Sequence, residues 1–396
     1  MAEETKHSHL FTLRNLDALS AGACVPIEPL AQAQVDFALN LLRHTGAPGS
    51  TIISPVSISI ALAMAYRGAK AQTATQIRDV IAKGATEEEV HAHFAAVLDL
   101  ISSNNLDVTL ETANKLFVHQ NFELLQDYVD GIKQHYKGQL EQVDFTKAAE
   151  SAETINTFVE KATHDHIKDL ISVDAINDLT RLILVNAIYF KGNWEKEFNA
   201  DRTVEGDFYA TPEKTTKKEL MQTQDKFPYY ESDGYQVLGL PYKNEKVYLY
   251  IILPTERYGL DDLVNNLNGA TLAQLLSKRD TEKVNVKLPK FKIEGEFELT
   301  ETLQKLGIVD AFNEADFSGI TNGGGLFISS VVHKAFIETD EKGTKAAAAT
   351  GAVMQLRCMP MHPPEPPKQF IADHGFLYVL TDAEHLHVLF AGKVAE

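Results

Sequence analysis

Only two cysteines occur in the 396 residues, Cys24 and Cys358. They give no disulfide framework, and Cys358 reads as a free thiol. No run approaches the roughly 18 apolar residues of a membrane-spanning helix, so no membrane partner is expected. Basic residues are in deficit: 37 Lys and Arg stand against 55 Asp and Glu, a formal net charge of −18. That balance argues against general affinity for nucleic acid or anionic lipid. There is no Asn-x-Ser/Thr sequon, and MAEETKHSHLFTLRNL at the start is acidic at once, with no apolar leader. The expected location is cytoplasmic if this N-terminus is the native one, and extracellular if a signal segment has been removed. G-x-S-x-G, P-loop and H-E-x-x-H patterns are all missing, so no catalytic residue, metal or cofactor is expected.

What is present reads as a globular chain. Apolar residues make up 44% and charged residues 23%, enough for a sizeable core. Residues 1–30 are mixed and end in VPIEPL, a loosely held extension. Helices are expected at 31–43, at 55–67, where Ser54 caps and Pro55 fills the first turn, at 73–81 and at 87–101. Further helices are expected at 124–136, 152–170, 260–276 and 297–306. Strands are expected at 108–118, 182–190, 208–210, 219–230, 235–240, 247–253, 284–293, 326–339, 370–380 and 386–391. The run LILVNAIYF (182–190) is apolar on both faces except at Asn186, so it must be central in its sheet. Helices gather early and strands late, without βαβ alternation, which points to α+β.

One stretch has a composition of its own. LFISSVVHKAFIET (326–339) alternates as a strand entering a core. From Thr344 to Ala352 the only long side chain is Lys345, and from Pro360 to Pro367 five of eight residues are proline. Were 344–354 extended, Thr344, Ala346, Ala348, Thr350, Ala352 and Met354 would share one uncharged face. Composition alone leaves an alanine-rich helical turn or plain linker equally open.

The string VVHKAFIETDEKGTKAAAAT (331–350) resembles the hinge signature of the serpins. TIISPVSISIALAMAYRGA (51–69), LILVNAIYFKGNWEKEF (182–198), GYQVLGLPYKN (234–244), LPKFKIE (288–294), LQKLGIVDAF (303–312), ADFSGI (315–320) and FIADHGFLYVL (370–380) extend the likeness over nearly the whole chain. The resemblance implies a single domain over 31–396, with about nine helices, three sheets and an exposed reactive-centre loop within 341–367. It implies a hinge of Glu341, Gly343, Thr344, Ala346, Ala347, Ala348, Ala349 and Thr350, and a reactive bond between Arg357 and Cys358. Met354, Gln355, Leu356 and Met359 complete the bait. It also implies that Ser54, Asn186 and His333 cluster under the main sheet, and that Trp194 marks where that sheet opens.

The implied activity is suicide inhibition of trypsin-like serine proteases by a monomer, through an acyl-enzyme and loop insertion. The competing class is a non-inhibitory relative acting as carrier, chaperone or storage protein. Such relatives typically carry charged, bulky or proline residues in the hinge, where this chain has Thr and Ala. The helix at 87–101 begins with Glu87, Glu88 and Glu89 and has no Lys or Arg between residues 84 and 114. Polysaccharide activation at that helix is therefore not expected. His374-Gly375-Phe376 departs from the family's proline after the histidine, a change expected to loosen a local turn. His385 and His387 would share a strand face, but without a third ligand they read as surface histidines, as do His91 and His93.

Overall fold

The computed structural model describes residues 29–46, 49–103, 106–278, 280–343 and 365–396. Its first helix, α1 (Pro29–His44), buries Val35, Phe37, Ala38, Leu41 and Leu42. A three-residue strand with no sequence signal, β1 (Thr51–Ile53), precedes α2 (Pro55–Tyr66), every residue of which is buried. Ser54 stands at the N-cap position, but its hydroxyl does not cap the helix; it donates to the Leu389 carbonyl at 2.7 Å.

Next come α3 (Ala71–Ile81) and α4 (Glu87–Ser102), the latter opened by a reciprocal Thr86–Glu89 capping box. The chain continues through β2 (Thr109–His119), α5 (Gln126–Tyr136), β3 (Leu140–Val143), α6 (Ala148–Ala162) and β4 (Leu182–Lys191). Then follow β5 (Val204–Thr211), β6 (Lys214–Glu231), β7 (Tyr235–Pro241), β8 (Val247–Pro254), α7 (Leu260–Asn266) and α8 (Gly269–Ser277). β9 (Thr281–Pro289), β10 (Phe291–Glu298), α9 (Thr300–Lys305), β11 (Ile328–Thr339), β12 (Lys368–Ile371), β13 (Phe376–Asp382) and β14 (Val388–Val394) complete it. Among the described residues this is an α+β fold with nine α-helices.

Four expected elements are corrected. The helix expected to run to residue 170 stops at Ala162, because His164 and Asp165 adopt left-handed backbone (φ 46° and 63°). The helix at 260–276 is two helices, since the Asn268 side chain caps a new start by accepting from Thr271 N–H at 2.8 Å. The strand at 284–293 is β9 and β10 in different sheets, divided at Lys290. Likewise 370–380 splits into β12 and β13 around His374, whose ring bonds Asp373 and the Pro254 carbonyl (2.7 and 2.8 Å). Those two contacts lie at the turn where the family's proline is missing.

Two sheets are seen among the described residues, against the three expected. One has five strands in the order β10-β11-β4-β2-β3. The other has nine, in the order β1-β14-β13-β8-β7-β6-β9-β12, with β5 on β6. β6 runs over 18 residues, long enough to pair β5 and β9 along most of its length and β7 at its end, which joins two sheets into one.

In the five-stranded sheet β4 is central, as its composition requires. Its Leu182, Leu184, Ile188 and Phe190 pack into the larger core with α2; Ile183, Val185, Ala187 and Tyr189 pack into a second core with Ile155 and Val159 of α6. β4 pairs antiparallel with β2 and parallel with β11. Among the described residues no strand lies between β4 and β11.

Candidate functional site

Where three strands run side by side, their register places polar residues in one row. Asn114 of β2 is opposite Asn186 of β4, which is opposite His333 of β11. Leu116, Leu184, Ile188, Val331 and Ala335 flank them on that face, and the buried α2 lies over it, bringing Ser57 and the preceding Ser54. All five are buried, so each polar atom needs a partner.

The Ser54 backbone N–H donates to His333 Nε2 (3.1 Å). The ring proton therefore sits on Nδ1, which donates to Asn186 Oδ1. Asn186 Nδ2 in turn donates to Ser57 Oγ (2.6 Å) and Asn114 Oδ1 (2.5 Å), and Ser57 Oγ donates to Asn114 Oδ1 (2.8 Å). Burial pushes the His333 imidazole down to about 3, so it is neutral in this network. Among the described residues Asn114 Nδ2 has no partner, a deficit of about 1–3 kcal/mol. The network thus ties the β11–β4 seam to α2 through hydrogen bonds, rather than through interlocked apolar side chains alone.

A second set of contacts closes the C-terminal end of β11. Trp194, 4% exposed, donates through Nε1 to the Asp340 carbonyl (2.9 Å) and stacks on Tyr242 with ring centroids 4.3 Å apart. Its backbone N–H donates to the Lys342 carbonyl (3.0 Å). The chain then reverses in a turn in which Asp340 and Gly343 pair backbone to backbone. Gly343 has φ +105°, and a Cβ there would lie 2.3 Å from the Gly192 carbonyl oxygen, so glycine is required. The Glu341 carboxylate accepts from Lys290 (2.9 Å) and from Thr203 Oγ1 (2.7 Å). These contacts fix the turn that follows β11 as far as Gly343.

The structure brings Ser54, Asn186 and His333 together, while Trp194, Glu341 and Gly343 meet at the end of the same strand. Thr344, Ala346, Ala347, Ala348, Ala349, Thr350, Met354, Gln355, Leu356, Arg357, Cys358 and Met359 lie outside the described residues. Ser57, Asn114, Lys290 and Thr203 escaped the sequence reading. Ser57 carries the same signal as Ser54, a polar residue inside a dense apolar segment; Asn114, with Glu111, Thr112 and Lys115 around it, carries none. His91 is not a surface residue: it is 4% exposed, and its Nδ1 lies 2.6 Å from the Tyr136 hydroxyl. His387 is also largely covered, whereas His385 is exposed.

Comparison with known proteins adds to this geometry. The family model described as serpin (serine protease inhibitor) matches residues 32–396. Serpin B6 of Macaca fascicularis is 37% identical over 378 residues, covering 93% of this chain and 99% of that protein. Serpin48, a highly specific serpin of the insect Tenebrio molitor, superposes with a TM-score of 0.81 at 32% identity, covering 93% of this chain and 98% of its own. The thermophilic serpin tengpin in its native state gives a TM-score of 0.84 at 26% identity, covering 95% and 96%.

Proposed function

The chain belongs to the serpin family, whose members are characteristically protease inhibitors rather than catalysts, and from that membership we propose that it is a suicide inhibitor of trypsin-like serine proteases. In this reading residues near 350–362 are bait. The protease serine attacks the Arg357 carbonyl, the bond to Cys358 breaks, the Cys358 amine leaves with a proton, and Arg357 remains as an ester on the enzyme. Segment 344–356 then enters the seam between β11 and β4, satisfying its backbone groups in the sheet. At about 3.3 Å per residue it carries the ester, and the enzyme with it, some 40 Å. Distortion of the protease then stalls hydrolysis, and the free energy stored in the uninserted state drives the sequence.

The observation that carries this reading is the closed seam. β11 and β4 are directly bonded over a network that holds them by polar contacts, and four residues after β11 ends at Thr339 comes a segment, 344–352, whose side chains are small apart from Lys345. Arg357 supports a trypsin-like target, because a primary pocket with an anionic base pairs with guanidinium. The acidic first turn of α4, with Glu87, Glu88 and Glu89 exposed, argues against a sulfated polysaccharide ligand there.

Incubation with trypsin followed by denaturing electrophoresis tests the proposal. A covalent complex stable in denaturant, with a rise in melting temperature of the cleaved chain, is expected. Clean cleavage without a complex, or without the thermal rise, would favour the carrier, chaperone or storage reading.

A further inference from the structure

The hairpin joining β13 to β14 gathers three chemistry-bearing side chains away from the seam. Asp382, 1% exposed, accepts backbone N–H groups from Glu384 (3.1 Å), His385 (2.7 Å) and His387 (2.6 Å), so the turn wraps around its carboxylate. The same carboxylate lies 3.5 Å from His385 Nδ1 and 3.0 Å from His387 Nδ1. One ligand atom from each of the three residues lies within 4.8 Å of the others. Among the described residues these two histidines are the only ion-pair partners of Asp382.

A fourth donor comes from a different element. His93 of α4 packs its ring 5.3 Å from the ring of His387. Among the described residues His93 Nε2 is buried without a hydrogen-bond partner, while His387 Nδ1 faces the Asp382 carboxylate at 3.0 Å. A buried imidazole nitrogen normally finds a partner; among the described residues His93 Nε2 has none, and its ring packs on the histidine that faces the buried carboxylate.

From this geometry we propose that Asp382, His385 and His387, with His93 closing the set, form a binding site for a zinc-class divalent cation. Tetrahedral zinc with nitrogen and oxygen ligands at about 2.0–2.1 Å requires ligand atoms about 3.4 Å apart. His387 Nδ1 lies 3.0 Å from one Asp382 carboxylate oxygen and His385 Nδ1 3.5 Å from the other, and one ligand atom from each residue lies within 4.8 Å of the rest, so the set has to draw inward to reach that spacing on an ion. Three imidazoles and one carboxylate match borderline cations and not calcium or magnesium, which take oxygen shells. The backbone N–H groups on the Asp382 carboxylate orient it as outer-shell donors do in built metal sites. A bound ion ties α4 to the hairpin of the nine-stranded sheet, two elements that the chain itself connects only through β2 to β13. The pair His385 and His387 lacked a third ligand in the sequence; the turn supplies it three residues earlier, and α4 supplies the next.

The test is calorimetric titration of the chelator-treated full chain with zinc chloride, alongside cobalt(II) absorption and thermal melting with and without zinc. One saturable site per chain, a cobalt spectrum of tetrahedral type and a zinc-dependent rise in melting temperature are expected. His385→Ala with His387→Ala should abolish binding while Asp382 still organises the turn. His93→Ala, which leaves the turn untouched, should weaken binding by about tenfold or more. Absence of saturable binding at micromolar zinc overturns the proposal. So does binding that survives in the double variant, since other groups would then hold the ion. Unchanged far-ultraviolet dichroism of each variant separates loss of ligands from loss of fold.

Discussion

The Glu341 carboxylate lies 2.9 Å from the Lys290 ammonium, joining the turn after β11 to the single residue that links β9 to β10. Burial pushes the Glu341 carboxyl up, but the Lys290 and Thr203 hydrogen bonds outweigh it and hold it below the usual range. Lys290 is raised, chiefly by its bond to Glu341. A carboxyl with a lowered folded value stabilises the fold above its unfolded value, and that contribution is lost as pH falls through the folded one. Glu341→Lys sets two ammonium groups together at a partly covered position and should cost about 1–3 kcal/mol. A thermal melt at neutral pH reads this directly, and a melting temperature equal to wild type would show that the pair contributes nothing.

His333 predicts a second pH dependence, of separate origin. Its folded value of about 3, set by burial, lies well below 6.5 for a free imidazole. Between these values the unfolded chain binds the extra proton, so stability is full above about pH 6.5 and declines as pH falls toward 3. The slope from one such group approaches about 1.4 kcal/mol per pH unit. His333→Gln should lower stability at neutral pH by about 1–3 kcal/mol, because its partners Ser54 N–H and Asn186 Oδ1 lose optimal bonds. It should also flatten the acid slope by nearly one proton. Denaturant melts from pH 7.5 to 4.5 measure both, and an unchanged slope would mean that the proton goes elsewhere. His91, held down to about 3 mainly by burial, contributes in the same window and serves as the comparison variant.

How much of this was legible in the sequence depends on which interactions are local. β4 was identified by its unbroken apolar run, because a strand buried on both faces must look so. α2 was equally plain, with no polar face at all. The break at Lys290 was legible only in part: Pro289 argues for an edge or a bulge there, but β9 and β10 both alternate, and their membership of different sheets is what shows that the chain turns between them. The split of 260–276 was missed because the Asn268 cap sits inside a continuing apolar rhythm. In the polar seam, composition flagged Ser54, Asn186 and His333, and resemblance brought them together. Ser57 carries the same local signal as Ser54 but joins the network only through the packing of α2, and Asn114 needed the β2–β4 register, a long-range fact that no local window contains. Lys290 and Thr203 meet Glu341 across more than fifty residues and carry no signal of their own.

Gly343→Ala should damage the turn that follows β11. The φ of +105° and the predicted overlap with the Gly192 carbonyl and Trp194 nitrogen act together. Left-handed strain of this kind costs about 1–3 kcal/mol before any clash. Relief by moving the turn would break the bond from the Trp194 N–H to the Lys342 carbonyl. The readout is a lowered melting temperature together with a change in Trp194 fluorescence, since this is the chain's only tryptophan. A variant with wild-type values in both would show that the turn is free to rearrange.

Arg357 sets the expected target, and its register is open to direct measurement. Mass spectrometry of the trypsin-cleaved chain should find the new C-terminus at Arg357. Arg357→Leu should lower the rate of complex formation with trypsin by on the order of 100-fold or more, since the pocket's carboxylate is then left unpaired. The same variant should gain reactivity toward a chymotrypsin-like enzyme. Cleavage after Met354 or Met359 instead would move the bait by several residues and with it the choice of protease.

Thr344 and Lys345 are neighbours with opposite expected fates, and that difference tests insertion more sharply than either residue alone. If 344–356 becomes a strand in the β11–β4 seam, Thr344 turns with Ala346, Ala348 and Thr350 toward the buried side, while Lys345 faces the other way. Thr344→Arg then drags a guanidinium toward a core that offers no counter-charge, which costs several kcal/mol. Each 1.4 kcal/mol added to the insertion barrier slows it tenfold. Ester hydrolysis at the protease is unaffected, so it wins the competition and the chain is cut without trapping the enzyme. Lys345→Arg changes a residue that is already charged and leaves the buried face as it was. The expected pair of gels shows cleaved chain without complex for Thr344→Arg and wild-type complex for Lys345→Arg. Equal complex in both lanes would mean that the hinge does not enter the sheet in this register.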